Sequence, residues 1–146
     1  MLMVMKKNTK IFLALIILIT IMVLGFLSLG YAYTSNNIIK LEKLESDKQK
    51  IKGLSGRESL CDNCGMLFRY EKPQEIGIWM KNMNFSIDII WLDTEKKITH
   101  IEQSVSPKTY PKSFSDGSGR SKYVIELPSG YVKEKELQQN DKFYFW

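Results

Sequence analysis

The sequence predicts an α+β domain: mainly antiparallel β in a small barrel-like sheet, with two short helices, preceded by one N-terminal transmembrane helix. Three observations carry that expectation. Residues 11–39 contain no charged side chain, and "IFLALIILITIMVLGFLSLGYAY" (Ile11–Tyr33) is long enough to cross a bilayer, which takes about 20 apolar residues. Past that run, short segments rich in β-branched and aromatic residues recur between Gly, Pro, Asn and Asp clusters, the pattern of strands and turns. Only two stretches combine a capping residue with helical spacing. At 146 residues the chain is long enough for one domain and little more.

Lys6, Lys7 and Lys10 precede the apolar run, so residues 1–10 read as a cytoplasmic basic flank and the C-terminal part as extracytoplasmic. Residues 11–33 are then an anchor in the cell membrane, or a signal peptide. "GYA" (Gly30–Ala32) has the small-x-small form that signal peptidase accepts, and cleavage near Ala32 would give a secreted domain. No cysteine stands near the end of the run for a lipid anchor. Residues 34–37 form a short link, and residues 38–146 form the extracytoplasmic domain.

Within that domain "IIKLEKL" starts as a strand, and "ESDKQKIKG" is a short helix capped by Ser46 and stopped by Gly53. "MLFRYEK" (Met66–Lys72) alternates as a strand until Pro73 breaks it. "EIGIWMK" is the next strand. "FSIDIIWLD" and "ITHIEQSV" pair around the loop "TEKK" (Thr94–Lys97), which sets Trp91 opposite His100 and Asp88 opposite Gln103. Ile90, Leu92, Ile101 and Val105 then share a face with Asp88. "SPKTYPKSFSDGSGRS" is a long loop. "KYVIEL" is a strand, Ser129 caps the short amphipathic segment "YVKEKELQQ", and "NDKFYFW" closes the domain as a strand.

The net charge of +5 carries little information about partners. Three lysines belong to the N-terminal flank; past Tyr33 there are 18 basic and 16 acidic residues, a net of +2. No Lys/Arg run resembles a nucleic-acid footprint, so no nucleic acid is expected as a partner.

Candidate chemistry is sparse. Cys61 and Cys64 form C-D-N-C, which reads as a dithiol, half a zinc site, or a small disulfide clip. Zinc needs about four ligands, and the chain supplies two cysteines and one distant histidine, so no metal is assigned. An extracytoplasmic address favours the disulfide. His100 is the sole histidine, so any Ser-His-Asp or Cys-His arrangement must use it, and nothing nucleophilic is placed beside it. "SGRES" and "DGSGR" are neither a nucleophile elbow nor a phosphate loop, and no cofactor is implied. In "IGIWMKNMNFSIDIIWLD", Trp79 and Lys81 fall on one side of their strand and Met80 on the other. A core-facing Asp88 must be paired or protonated, because an unpaired buried charge costs several kcal/mol or more.

"KGLSGRESL" (Lys52–Leu60), "GMLF" (Gly65–Phe68), "WMKN" (Trp79–Asn82), "IDIIWLD" (Ile87–Asp93), "YVIELPSGY" (Tyr123–Tyr131) and "NDKF" (Asn140–Phe143) occur in this order. Together they resemble the domain-of-unknown-function family 192, over roughly residues 38–146. The resemblance implies a small β-rich fold, often behind an export signal or anchor, and no transferable activity. Two departures stand out: "MNFS" follows "WMKN" where the family has a small residue and proline, and the cysteine pair precedes "GMLF". Arg57, Lys81 and Glu126 are the charged residues inside the family-like phrases.

These residues define the candidate site. Asp88 pairs with Arg57 or Lys81, and the cluster with Trp79, Asn82 and Glu126 lines a shallow polar pocket; the alternative is a structural network that fixes strand register. The function expected is a binding or accessory module of the cell envelope, for an unknown small molecule or envelope protein. The alternatives are a structural envelope protein without a ligand, or a hydrolase using Asp88 and Glu126 as a carboxylate pair. No recognised catalytic signature favours an enzyme.

Overall fold

The computed structural model describes residues 12–22, 31–34 and 37–145. Residues 12–22 are helical (α1). The strands are β1 (Tyr31–Thr34), β2 (Asn37–Leu44), β3 (Cys64–Gln74), β4 (Ile78–Trp79), β5 (Ile87–Leu92), β6 (Ile98–Val105), β7 (Ser113–Phe114) and β8 (Ser121–Pro128). Helices α2 (Asp47–Lys52) and α3 (Tyr131–Glu134) and a 3-10 turn at Pro107–Thr109 complete the elements. One sheet runs β1-β2-β3-β8-β5-β6, and β4 pairs with β7 separately.

The transmembrane helix expected over residues 11–33 is corrected. Tyr31–Thr34 is not helix but strand β1, hydrogen-bonded antiparallel to β2, with Tyr31 opposite Lys40 and Thr34 opposite Asn37. The aromatic and β-branched residues of "YAYT" fit a pleated ladder better than a helix. Helix α1, as described, rises only about 16 Å, roughly half a hydrocarbon core. Among the described residues no helix is long and apolar enough to cross a membrane. The rest of the expected segment, residue 11 and residues 23–30, lies outside the described residues. Residues 34–37, expected as a link, hold the end of β1 and the start of β2.

The sheet is also mixed rather than barrel-like: β2 and β3 are parallel, the other pairings antiparallel, and β1 and β6 each have one neighbour in the sheet. β5, most of β8 and the Gly65–Phe68 part of β3 are buried on both faces. One face packs Leu67, Ile90, Leu92, Ile125 and Leu127 with Val132 and Phe143. The other packs Met66, Phe68, Ile87, Ile89, Trp91 and Val124 with Leu54 and Met80. This double coverage makes β5 apolar at both parities and explains why "IDIIWL" fails to alternate. Gly65 sits where β3 meets β2 and β8. A Cβ there would lie 2.9 Å from Leu41 Cδ2 and 3.2 Å from the Glu126 carbonyl, so the strands approach at glycine distance.

Asp88 is the fully buried acid of β5. It shares the face of Ile90 and Leu92 by the period of two. Its Oδ1 accepts from Ser104 N at 2.7 Å, and its Oδ2 from Val132 N at 2.8 Å. The first bond holds a bulge. Trp91 opposes His100 and Ile90 opposes Ile101 as expected, but Ile87 opposes Val105, one residue out of step. Ser104, at φ 51°, absorbs the extra residue. The bulge carries Val105 to the Trp91 face, away from Asp88, where a regular hairpin would have kept it. The second bond caps α3 from across the sheet. Gly130 is the N-cap residue and makes no side-chain cap bond; Ser129, expected to cap, instead donates to Ser104 Oγ. Asp88 therefore fixes register and does not pair with Arg57 or Lys81.

Other expectations meet the chain's own geometry. Ser46 and Gln49 form a reciprocal capping box on α2, and Gly53 ends it at φ 47°. β3 continues through Pro73, with its ladder to β8 irregular between Arg69 and Gln74. Residues 140–145 make no regular strand; they dock on the β5–β6 turn through Phe143 N to Lys96 O and a bridge between Lys97 and Lys142, among other contacts.

Each N–H that loses a buried acceptor costs about 1–3 kcal/mol. Asp88→Ala is therefore expected to destabilise the domain by roughly 2–4 kcal/mol in chemical denaturation. Asp88→Asn, which keeps one acceptor, should lose less. Two unchanged midpoints, or Asn worse than Ala, would contradict this role.

Candidate functional site

The Trp91 face carries the buried acid Glu126. On β3, Phe68 and Tyr70 project to this side, and β8 sets Val124 opposite Phe68 and Glu126 opposite Met66. Helix α2 and the loop after it cover the face. Leu54 is buried there, and Gly53 lies close enough that a Cβ would meet the Phe68 ring at 3.5 Å. Three hydrogen bonds tie that loop to the one after β4: Ser55 Oγ to Lys81 O at 2.8 Å, Gly56 N to Asn82 O at 2.9 Å, and Asn84 Nδ2 to Arg57 O at 2.9 Å. Asn82 takes φ 56° to present its carbonyl, a conformation asparagine tolerates.

Between these loops and the sheet lies a cavity of about 160 Å³. Its walls include Phe68, Tyr70, Ile78, Trp79, Met83 and Lys50, and Glu126 lines it from β8. Glu126 is buried, and its Oε2 has no hydrogen-bond partner among the described residues. Burial pushes its pKa up to about 8, against the opposing pull of the Arg57 guanidinium. At neutral pH it is therefore mostly a neutral carboxylic acid, which can donate a hydrogen bond as well as accept one. Burial also pushes the Tyr70 hydroxyl up, helped by the negative charges of Asp47 and Glu126. Lys50 holds its ammonium 4.6 Å from the Tyr70 ring centroid.

The expected site residues separate. Trp79 and Glu126 share the cavity. Arg57 acts on Glu126 through its charge and is ion-paired with Glu42 at 2.7 Å, partly exposed. Lys81 lies 5.6 Å from the exposed Trp79 ring, outside the cavity lining. Asn82 contributes backbone. Asp88 points to the opposite face, since Ile89 rather than Asp88 opposes Glu126. The sheet thus separates the two carboxylates that a shared acid–base mechanism would need together. Tyr70, Phe68 and Lys50 were missed by the sequence reading; the alternation of Phe68 and Tyr70 with Leu67 and Arg69 was the available signal for the first two.

Cys61 and Cys64 are bonded to each other, with Cα atoms 5.2 Å apart at the start of β3. His100 packs its ring on Trp91 at 5.3 Å and contacts Glu102 at 3.2 Å. Among the described residues no group of three or more His, Cys, Asp or Glu is placed to hold a metal ion.

Fold and cavity define a small β-rich domain with a cavity lined by a buried acid whose Oε2 has no hydrogen-bond partner among the described residues. The chain belongs to the DUF192 family, described as Uncharacterized ACR, whose model matches residues 31–145. A solved structure from Sinorhizobium meliloti 1021, provisionally described as a transcription regulator, is similar with TM-score 0.71 and 22% identity, covering 80% of this chain and 91% of that one. Another from Novosphingobium aromaticivorans DSM 12444, a protein of unknown function, gives TM-score 0.73 at 22% identity, covering 80% and 84%. At such identity the likeness shows the fold alone. No curated protein matches the chain.

Stability should carry the signature of Glu126. Its pKa rises on folding from the ordinary 4.5 to about 8. Below about pH 4.5 both states hold the proton and the contribution of Glu126 to stability is complete. Between there and pH 8 the unfolded chain loses the proton while the folded one retains it, so stability falls, then levels off. Glu126→Gln removes this decline. Its unfolding free energy should gain on wild type by roughly 4–5 kcal/mol between pH 4 and pH 9, read from denaturant titrations. Parallel pH profiles would show that Glu126 titrates normally.

Proposed function

We propose that this domain is a small-molecule binding module, with the Glu126 cavity as its ligand site. The observation that carries this is a buried carboxyl, unpartnered at Oε2, lining an aromatic-walled cavity. A buried polar atom without a partner costs free energy, and a ligand that bonds it recovers that cost. Aromatic walls with a few convergent polar groups suit ligand recognition. At about 160 Å³ the cavity is smaller than a drug-sized site and has room for one residue-sized or sugar-sized group. A neutral Glu126 donates to a carbonyl or hydroxyl of that group; a basic ligand would instead draw it into the ionised form.

We place the module outside the cytoplasm, in the cell envelope. The Cys61–Cys64 bond supports that address. The reading names a binder rather than an enzyme because a single acid without a placed nucleophile or second carboxylate supports recognition more directly than turnover.

The test is a thermal-shift screen of the full chain against amino acids, amino sugars, monosaccharides, muropeptides and nucleosides. At least one compound should raise the wild-type midpoint, since native-state binders stabilise by mass action. Glu126→Gln and Trp79→Ala should abolish that shift while still unfolding cooperatively. A screen without a hit, or a hit retained in both variants, would overturn the assignment.

A further inference from the structure

The other face of the sheet carries a second cavity, of about 270 Å³, remote from Glu126 and independent of its proposed role. Lys43 reaches it from β2, Arg69 from β3 and Lys96 from the β5–β6 turn. Lys96 is held there: it stands at φ 64°, its Nζ donates to the Phe145 carbonyl, and the ammonium sits 4.6 Å from the Phe145 ring centroid. Among the described residues none of the three cations has an ion-pair partner within 4.0 Å. The ion pairs lie elsewhere, at Asp47, Arg57, Glu95, His100 and Lys135. Glu45, exposed at the rim, is the acid that lines this cavity. Burial and then the like charges of Arg69, Lys142 and Lys43 push the Lys96 pKa down, which reports how closely the cations crowd. Tyr123 and Phe145, both buried, meet edge to face at 5.1 Å and form an apolar wall.

Like charges converging from three separate elements oppose folding unless something of opposite sign joins them. We propose that this cavity binds an oxyanion group, phosphate or carboxylate, carried on a small aromatic or apolar body. The Arg69 fork grips the oxygens, Lys43 and Lys96 supply further charge, and the Tyr123–Phe145 wall receives the body. A bound anion would also relieve the crowding at Lys96.

Isothermal titration of the full chain with phenyl phosphate, benzoate and inorganic phosphate, at ionic strength fixed with sodium chloride, tests this. Saturable binding of phenyl phosphate or benzoate is expected, tighter than inorganic phosphate, and whichever of the two binds more tightly identifies the anion class. Arg69→Gln and Lys43→Gln should each weaken it at least tenfold, and Lys108→Gln, outside the cavity, should leave it unchanged. Lys96→Met should do the same as Arg69→Gln if it folds; the two strand-surface variants decide the matter if it does not. Heats no larger than a chloride control, or equal affinity in Arg69→Gln, would overturn the site.

Discussion

Desolvation of the three central strands is the constraint on which the rest of the structure depends. β5, most of β8 and the Gly65–Phe68 part of β3 are covered on both faces, so the polar groups within them are removed from water with the strand. Two acids lie in that layer, and the fold treats them differently. Asp88 receives two backbone N–H groups and becomes a fastener: it holds the Ser104 bulge on one side and the start of α3 on the other. Glu126 lines a cavity and holds an oxygen without a partner among the described residues. The same burial that would make an unpaired carboxylate costly keeps Glu126 protonated instead.

Much of the β architecture was legible from residue pattern. The Ser46 cap of α2, the pairing of Trp91 with His100, and β8 as a strand all follow from local chemistry that tertiary contacts did not override. The misreadings share a cause: they concern what long-range pairing decides. "YAYT" ends an apolar run, and only the ladder to β2 distinguishes strand from helix there. The bulge at Ser104 is invisible in "IEQSV", yet it moves Val105 to the other face. Ser129 has the composition of a cap, but the helix takes its acceptor from Asp88, 44 positions earlier in the chain.

The candidate site was legible in half. The phrases "WMKN" and "YVIEL" pointed to Trp79 and Glu126, which do share a cavity. Grouping Asp88 with them required knowing that Ile89, not Asp88, stands opposite Glu126, and a single-residue register decides which face a side chain occupies. Lys50, from α2, came from an element whose position over β3 no local pattern reveals. Arg57 sits between the two readings. It is tied to Glu42, yet its charge still tempers Glu126, so the loop it occupies sets the cavity's electrostatics without entering its walls.

The account turns on whether Glu126 is a neutral acid lining a working cavity. Carbon-13 NMR of the glutamate side-chain carboxyls, assigned by comparison with Glu126→Gln, measures this directly. The account predicts one carboxyl titrating near pH 8, and a shift of that midpoint when a ligand from the screen is added. A Glu126 carboxyl that titrates near the ordinary 4.5 would contradict it, because such a group is hydrated or already paired and leaves the cavity without its defining acid.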